Sequence, residues 1–417
     1  MALAVASSCL VAAEEHKGHE DKDKGGHGHG HAAVAFVGTH SLDVVAQGDV
    51  VELFTGTYAA GNPRAALQHQ RSSDGGVTWS KPVTVDAGMP MAHMPHRGMD
   101  AQIAAFGDKL VAVWMTPGTD AFGGGPMVTA LSADGGKTWT AGPNPADDGS
   151  TTGHGFIDLA ADGAGNFHLT WLDTRGEERG LRYARSTDAG KTWSANTIPD
   201  RETCECCWNT IVAGQDGNVA ILYRDKNPRD MTVVRSTAAK DGAEGAGTLW
   251  GKPTTVGSFG WQFEGCPHVG GGLAMGSAEA GSTLHATVWT GQPERLGVYY
   301  LNTTATTGKG AGAWSQAKRL GDGTASHPDV AARGQQVAAV WNARQGEASV
   351  IKGATSADNG VTWTEPVQLS DPNSNPELMP THAKVVATGS GFRAFWTQKG
   401  EGEQPSVWVS REVKSGK

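Results

Sequence analysis

The segment HSLDVVA (40–46) is the first of seven stretches that share one outline: a metal-ligating residue type, a short gap, then a small apolar strand pattern. The others are HRGMDAQIAA (96–105), HGFIDLAA (154–161), CWNTIVA (207–213), HVGGGLA (268–274), HPDVAA (327–332) and HAKVVA (382–387). Their leading residues stand 53 to 61 positions apart. A unit of that length holds a small antiparallel sheet, and such sheets repeated in sequence close into a radial propeller. The first strand of each blade then lines the central channel, so the residues that open these strands are expected to ring the axis.

Composition agrees with an all-β chain. The 417 residues include 59 Gly and 14 Trp, with frequent Val, Thr and Ala alternation. A formal net charge of −9 argues against a nucleic-acid surface. No apolar run reaches the roughly 18 residues of a spanning helix, so no transmembrane segment is expected. Residues 1–13 end in Val11-Ala12-Ala13, a small-residue pattern that fits cleavage of a signal peptide. Periplasmic or secreted export is the resulting expectation. Residues 14–31, EEHKGHEDKDKGGHGHGH, form a charged, histidine-rich, low-complexity tail expected to lack a fold. A single propeller domain is expected over 32–412.

A second repeat is Ser-x-Asp-x-Gly-x-Thr-Trp: SSDGGVTW (72–79), SADGGKTW (132–139), STDAGKTW (186–193) and SADNGVTW (356–363). Its Asp can bond the backbone N–H groups of its own turn, its Gly permits the turn, and its Trp seals it against the sheet. The 170 residues between Asp188 and Asp358 span three periods, so two degenerate turns are expected at 236–250 and 301–314. Seven second strands end in Phe54, Trp114, Trp171, Tyr223, Trp289, Trp341 and Trp396, which read as packing between blades. The last copy shows three strands, and AAVAFVG (32–38) is placed to supply the fourth. Closing the ring with both termini removes the open sheet edge. The fold expected is a seven-bladed β-propeller with terminal strand closure; the alternative is a six-bladed sialidase propeller.

The candidate metal ligands are His40, His96, His154, His268, His327 and His382 at the first-strand starts. In the fourth copy CECC (204–207) replaces the histidine, and Cys266 precedes His268, so Cys206, Cys207 and Cys266 join the set. Imidazole and thiolate together favour copper, with zinc as the alternative. In an exported protein the same four cysteines could instead form two disulfides in three connectivities. Cys266 is expected within disulfide or shared-metal reach of Cys206 or Cys207, with Cys204 as a loop anchor. The loop GMPMAHMPHRGMD (88–100) adds Met89, Met91, Met94 and Met99 around His93 and His96, and Met379 precedes His382. Thioether beside imidazole is a copper-binding combination.

By its four Asp-containing turns the chain resembles the BNR, or Asp-box, repeat proteins of the sialidase-like propeller family. In the layout of its axial histidines it is similar to nitrous oxide reductase and thiocyanate dehydrogenase. Those resemblances imply two functions. One is an exported copper-binding propeller with a His/Cys ring, acting in copper handling or as a copper-dependent oxidoreductase on an unspecified small molecule. The other is an exo-α-sialidase-like hydrolase or carbohydrate-binding propeller. For the second, Arg97, Arg175, Arg224 and Arg344 would imitate part of the substrate-binding arginine triad. The chain departs from the sialidase pattern in carrying His40 where the first blade would offer an arginine.

Overall fold

The computed structural model describes residues 37–120, 123–173, 180–237, 249–276, 283–304 and 313–414. Its strands assemble into seven small antiparallel sheets, one per repeat. The first strands are Gly38–Gln47, Gln102–Phe106, His154–Ala161, Thr210–Ala213, Gly272–Met275, Ser326–Arg333 and Thr381–Ala387. Each touches the first strand of the next blade, and the last touches the first, so the ring is closed. This is a seven-bladed β-propeller. Among the described residues no helix is long and apolar enough to cross a membrane.

Terminal closure is made by backbone hydrogen bonds. The N–H of Thr39 donates to the Ser406 carbonyl at 2.8 Å, and the N–H of Ser406 donates to the Val37 carbonyl at 2.9 Å. Residues 32–36 of the expected closing strand, the leader and the histidine-rich tail lie outside the described residues. Most of the two degenerate turns does as well.

The second-strand aromatics fill the seams. Phe54 packs with Trp114 and Ile103 of the next blade, Trp171 with Val111 and Met127 of the previous one. All seven but Trp289 are at most 2 % exposed. Removing that much apolar surface from water is the main source of blade-to-blade adhesion.

The Ser-x-Asp-x-Gly-x-Thr-Trp turns join third and fourth strands at the outer edge. In the second blade Asp134 Oδ1 accepts from the backbone of Lys137 and Thr138, and its Oδ2 accepts from the Thr138 hydroxyl at 2.6 Å. Gly136 has φ +80°, and a Cβ there would stand 2.0 Å from His69 of the preceding blade. Only glycine satisfies both demands. These turns fasten the periphery, far from the axis.

Candidate functional site at the channel mouth

One layer of first-strand residues fixes the register around the axis: Asp43, Gln102, Asp158, Thr210, Gly272, Asp329 and Lys384 (blades 1 to 7). The carboxylates stitch neighbouring blades. Asp43 accepts from the N–H of Ile103, Asp158 from Ile211 and Asp329 from Val385, at 2.7 to 2.8 Å. Lys384 donates to Asp43 and so ties the last blade to the first. Burial, the largest influence, pushes the Asp158 carboxyl up to about 7 and raises that of Asp329. A cavity of about 730 Å³ runs along this layer.

Counting two residues back from that layer gives the position that opens onto the mouth: Ser41, Asp100, Phe156, Trp208, Gly270, His327 and His382. Bulges at the starts of blades 1, 3, 6 and 7 displace the pairing there. Phe156, His327 and His382 take φ values of +52°, +49° and +48°, unusual for residues with a side chain. Of the six sequence-predicted histidines, only His327 and His382 share this position. His40, His96, His154 and His268 stand three to six residues before their layer residue, at four places in three registers.

His327 and His382 face each other with ring centroids 4.1 Å apart, and Trp208 stacks on His327 at 5.5 Å and leans on His382 at 5.2 Å. The indole reaches this far because Gly98 and Gly270 lack side chains; a Cβ on Gly270 would stand 2.2 Å from it. Trp208 therefore crosses the axis and plugs the mouth. The Asn342 side chain accepts from the His382 N–H at 2.8 Å, while the His382 carbonyl accepts from Arg97. Burial pushes His327 down to about 4 and His382 well below its ordinary value. Neutral, packed imidazoles result.

His154 is fully buried, with Nδ1 bonded to the Thr152 carbonyl at 2.8 Å and Nε2 3.4 Å from Asp148. It belongs to an acidic cluster with Asp148 and Asp173 rather than to the mouth. His40 is half-buried, edge-on to Tyr58, and His96 is exposed with Nδ1 against the Met94 carbonyl. Met89 and Met99 pack into the blade cores, whereas Met91, Met94 and Met379 are exposed.

The cysteines lie together. Cys204 Sγ is 3.4 Å from Cys206 Sγ and 3.6 Å from Cys207 Sγ, with all three side chains buried and Phe156 packed against them. Cys206 also groups with Cys266 and His268 of the next blade, their donor atoms all within 4.8 Å of one another. None of the four forms a disulfide. Cys204, expected to anchor a loop, sits inside the thiol cluster. Its neighbours' S–H groups hold Cys204 far below the ordinary thiol range and push Cys206 far above it, while burial raises Cys207 to about 12.

Trp208 and the carboxylate layer were not singled out from sequence. The Asp-Val-Val, Asp-Leu-Ala and Asp-Val-Ala runs inside three of the seven copies were the available signal for the layer. Of the arginines proposed for a triad, Arg97 is committed to Asp100 and the carbonyls of Leu42 and His382, and Arg224 to the carbonyls of Val269, Arg229 and Trp289. Arg175 lies outside the described residues, and Arg344 donates to the Glu347 carbonyl.

No protein-family model matches the chain, and no curated protein does. Among solved structures, an ulvan lyase of polysaccharide lyase family PL25 is similar, with TM-score 0.55, 11% identity, and coverage of 91% of this chain and 98% of that one. The polysaccharide lyase Uly1 is similar at TM-score 0.52 and 10% identity, covering 97% and 95%. A microbial sialidase, Hz136, aligns at 14% identity over 88% of this chain and 74% of that one, with a TM-score of 0.47. At such identities the likeness is one of fold alone.

Proposed function

We propose that the protein binds a soft metal ion, copper(I) in the first place and zinc in the second, through Cys204, Cys206, Cys207, Cys266 and His268. The observation that carries this reading is the convergence of four free thiols and an imidazole from two blades, with donor atoms in groups no wider than 4.8 Å. Thiolate and imidazole form a soft donor set, and metal entry displaces thiol protons. Copper handling after export fits the position of this set at a solvent-facing mouth. Of the wider ring, His327 and His382 serve packing around Trp208, and His154 serves the Asp148–Asp173 cluster.

The test is anaerobic titration of the reduced full-length protein with Cu(I) against a competing chromogenic chelator. The five tail histidines (His16, His19, His27, His29, His31) are first replaced by Ala so that the tail contributes nothing. Stoichiometric binding that disappears in Cys206→Ser/Cys266→Ser is the expected result. No retention of Cu(I) or Zn(II) by the reduced protein defeats the reading.

Saccharide binding is the second reading, and the comparisons support it at the level of fold. Within this chain a cavity of about 610 Å³ between the outer parts of blades 4 and 5 favours it. Phe259, Tyr299 and Trp314 line it beside Arg295, whose guanidinium lies 5.9 Å from the Phe259 ring centre. Aromatic walls interleaved with the hydroxyl, amide and guanidinium groups of Thr255, Ser258, Ser315, Gln316 and Arg295 suit a hydroxylated ring-shaped ligand. A calorimetric panel of sialosides and acidic polysaccharide fragments tests this, with binding expected to fall in Trp314→Ala and to ignore copper. No binding across the panel rejects it.

A further inference from the structure

The donor atoms around the cysteines divide in a way that bears on how many ions they hold, given the soft-metal reading on which this inference rests. Cys204, Cys206 and Cys207 make one group of three, and Cys206, Cys266 and His268 make another. Among the described residues the grouping stops at three, and the sulfur of Cys206 belongs to both groups. A single tetrahedral ion would hold four donors together, with sulfurs about 3.8 Å apart for metal–sulfur bonds of about 2.3 Å. Two overlapping triads match two three-coordinate ions better than one four-coordinate ion. Low coordination by thiolate is the preference of copper(I), and a thiolate sulfur has lone pairs enough to bridge two metals.

We infer that the mouth takes two Cu(I) ions as a cluster bridged by Cys206. The inner ion is held by Cys204, Cys206 and Cys207, whose side chains are 2 %, 7 % and 1 % exposed. The outer ion is held by Cys206, Cys266 and His268, of which Cys266 and His268 are exposed. All four cysteines bind as thiolates, so each S–H proton still present is released to solvent as the two Cu(I) ions enter, and no oxidant or reductant is required. The two ions differ in access. Phe156 packs over the inner sulfurs, whereas an incoming thiol ligand can reach the outer ion directly. The outer ion is therefore the one exchanged with a thiol-bearing donor or acceptor, and the inner ion stays.

The test uses the reduced full-length chain with the five tail histidines replaced by Ala, loaded with excess Cu(I) and then challenged with rising chelator. Wild type is expected to hold two ions per chain and to release them in two stages. Cys266→Ser or His268→Ala should hold one ion, with the affinity of the late stage unchanged. X-ray absorption of the two-ion form should show copper scattering from copper, lost in Cys266→Ser. One ion per chain, abolished equally by Cys204→Ser and by Cys266→Ser, would overturn the two-ion cluster while leaving soft-metal binding intact. No bound copper in any form would remove both. Circular dichroism matched to wild type confirms that each Ser variant is folded.

Discussion

Blades 4 and 5 and blades 6 and 7 spend the same end of the repeat differently. On the first side, thiols free of disulfides form two groups of three donors that share Cys206, one of them with His268, with donor atoms within 4.8 Å inside each group, part buried and part open to solvent. On the second, His327 and His382 are stacked at 4.1 Å and closed in by Trp208, with the His382 backbone held by Asn342. Thiols that form no disulfide and gather in two groups, one of them with an imidazole, make the candidate ligand set. Imidazoles held neutral against an indole are arranged as a plug. A metal-ligating residue type at a repeat position is thus weaker evidence than the company its donor atoms keep. Trp208 joins the two sides, since it follows Cys207 in the chain yet packs among the histidines.

The strongest way to break this contrast is Trp208→Ala. Loss of the indole from between four blades should cost about 3–5 kcal/mol, the usual range for large aromatic truncations. Denaturant unfolding measures it, and a loss under about 1 kcal/mol would show that the indole is no plug. Copper binding by the folded variant should persist.

Acid offers the next largest effect. Burial lowers His327 from 6.5 to about 4, so the folded state binds its proton later than the unfolded chain does. Stability from this group is complete above pH 6.5 and is lost as pH falls toward 4, by at most about 3 kcal/mol at 1.36 kcal/mol per unit. His327→Gln should flatten that part of the stability–pH curve. An unchanged curve would mean that the imidazole is not buried in the plug.

The thiol side should respond in the opposite sense. Cys266→Ser is exposed and should shift stability of the metal-free protein by less than about 0.5 kcal/mol, as surface substitutions do. Its effect should appear in metal content alone. A destabilisation comparable to that of Trp208→Ala would assign Cys266 a packing role and dissolve the contrast.

The blade count was legible because strand alternation, seam aromatics and outer turns each repeat with the same period, and each is a local pattern. The terminal deficit in the last copy likewise pointed to the Val37–Ser406 pairing. The mouth was harder to read because its register depends on bulges. Spacing from histidine to strand differs between HGFIDLAA and HPDVAA by two residues, and in the former the residue that reaches the mouth is Phe156, not His154. An extra residue turns side chains to a different side without changing the hydrophobic pattern that follows. Proximity of Cys266 to Cys206 survived this difficulty because it needed only adjacent blades and the same end of the ring.

The backbone clasp between Val37, Thr39 and Ser406 also has a consequence for the histidine-rich segment that precedes it. Pinning Val37 there anchors the root of residues 14–31 beside His40, at the end of the ring that carries the thiols. Six peptide units separate His31 from Val37, so that imidazole's backbone lies within about 21 Å of the clasp at full extension. Whatever the segment binds is thereby confined to one end of the ring, on a leash whose length the clasp sets.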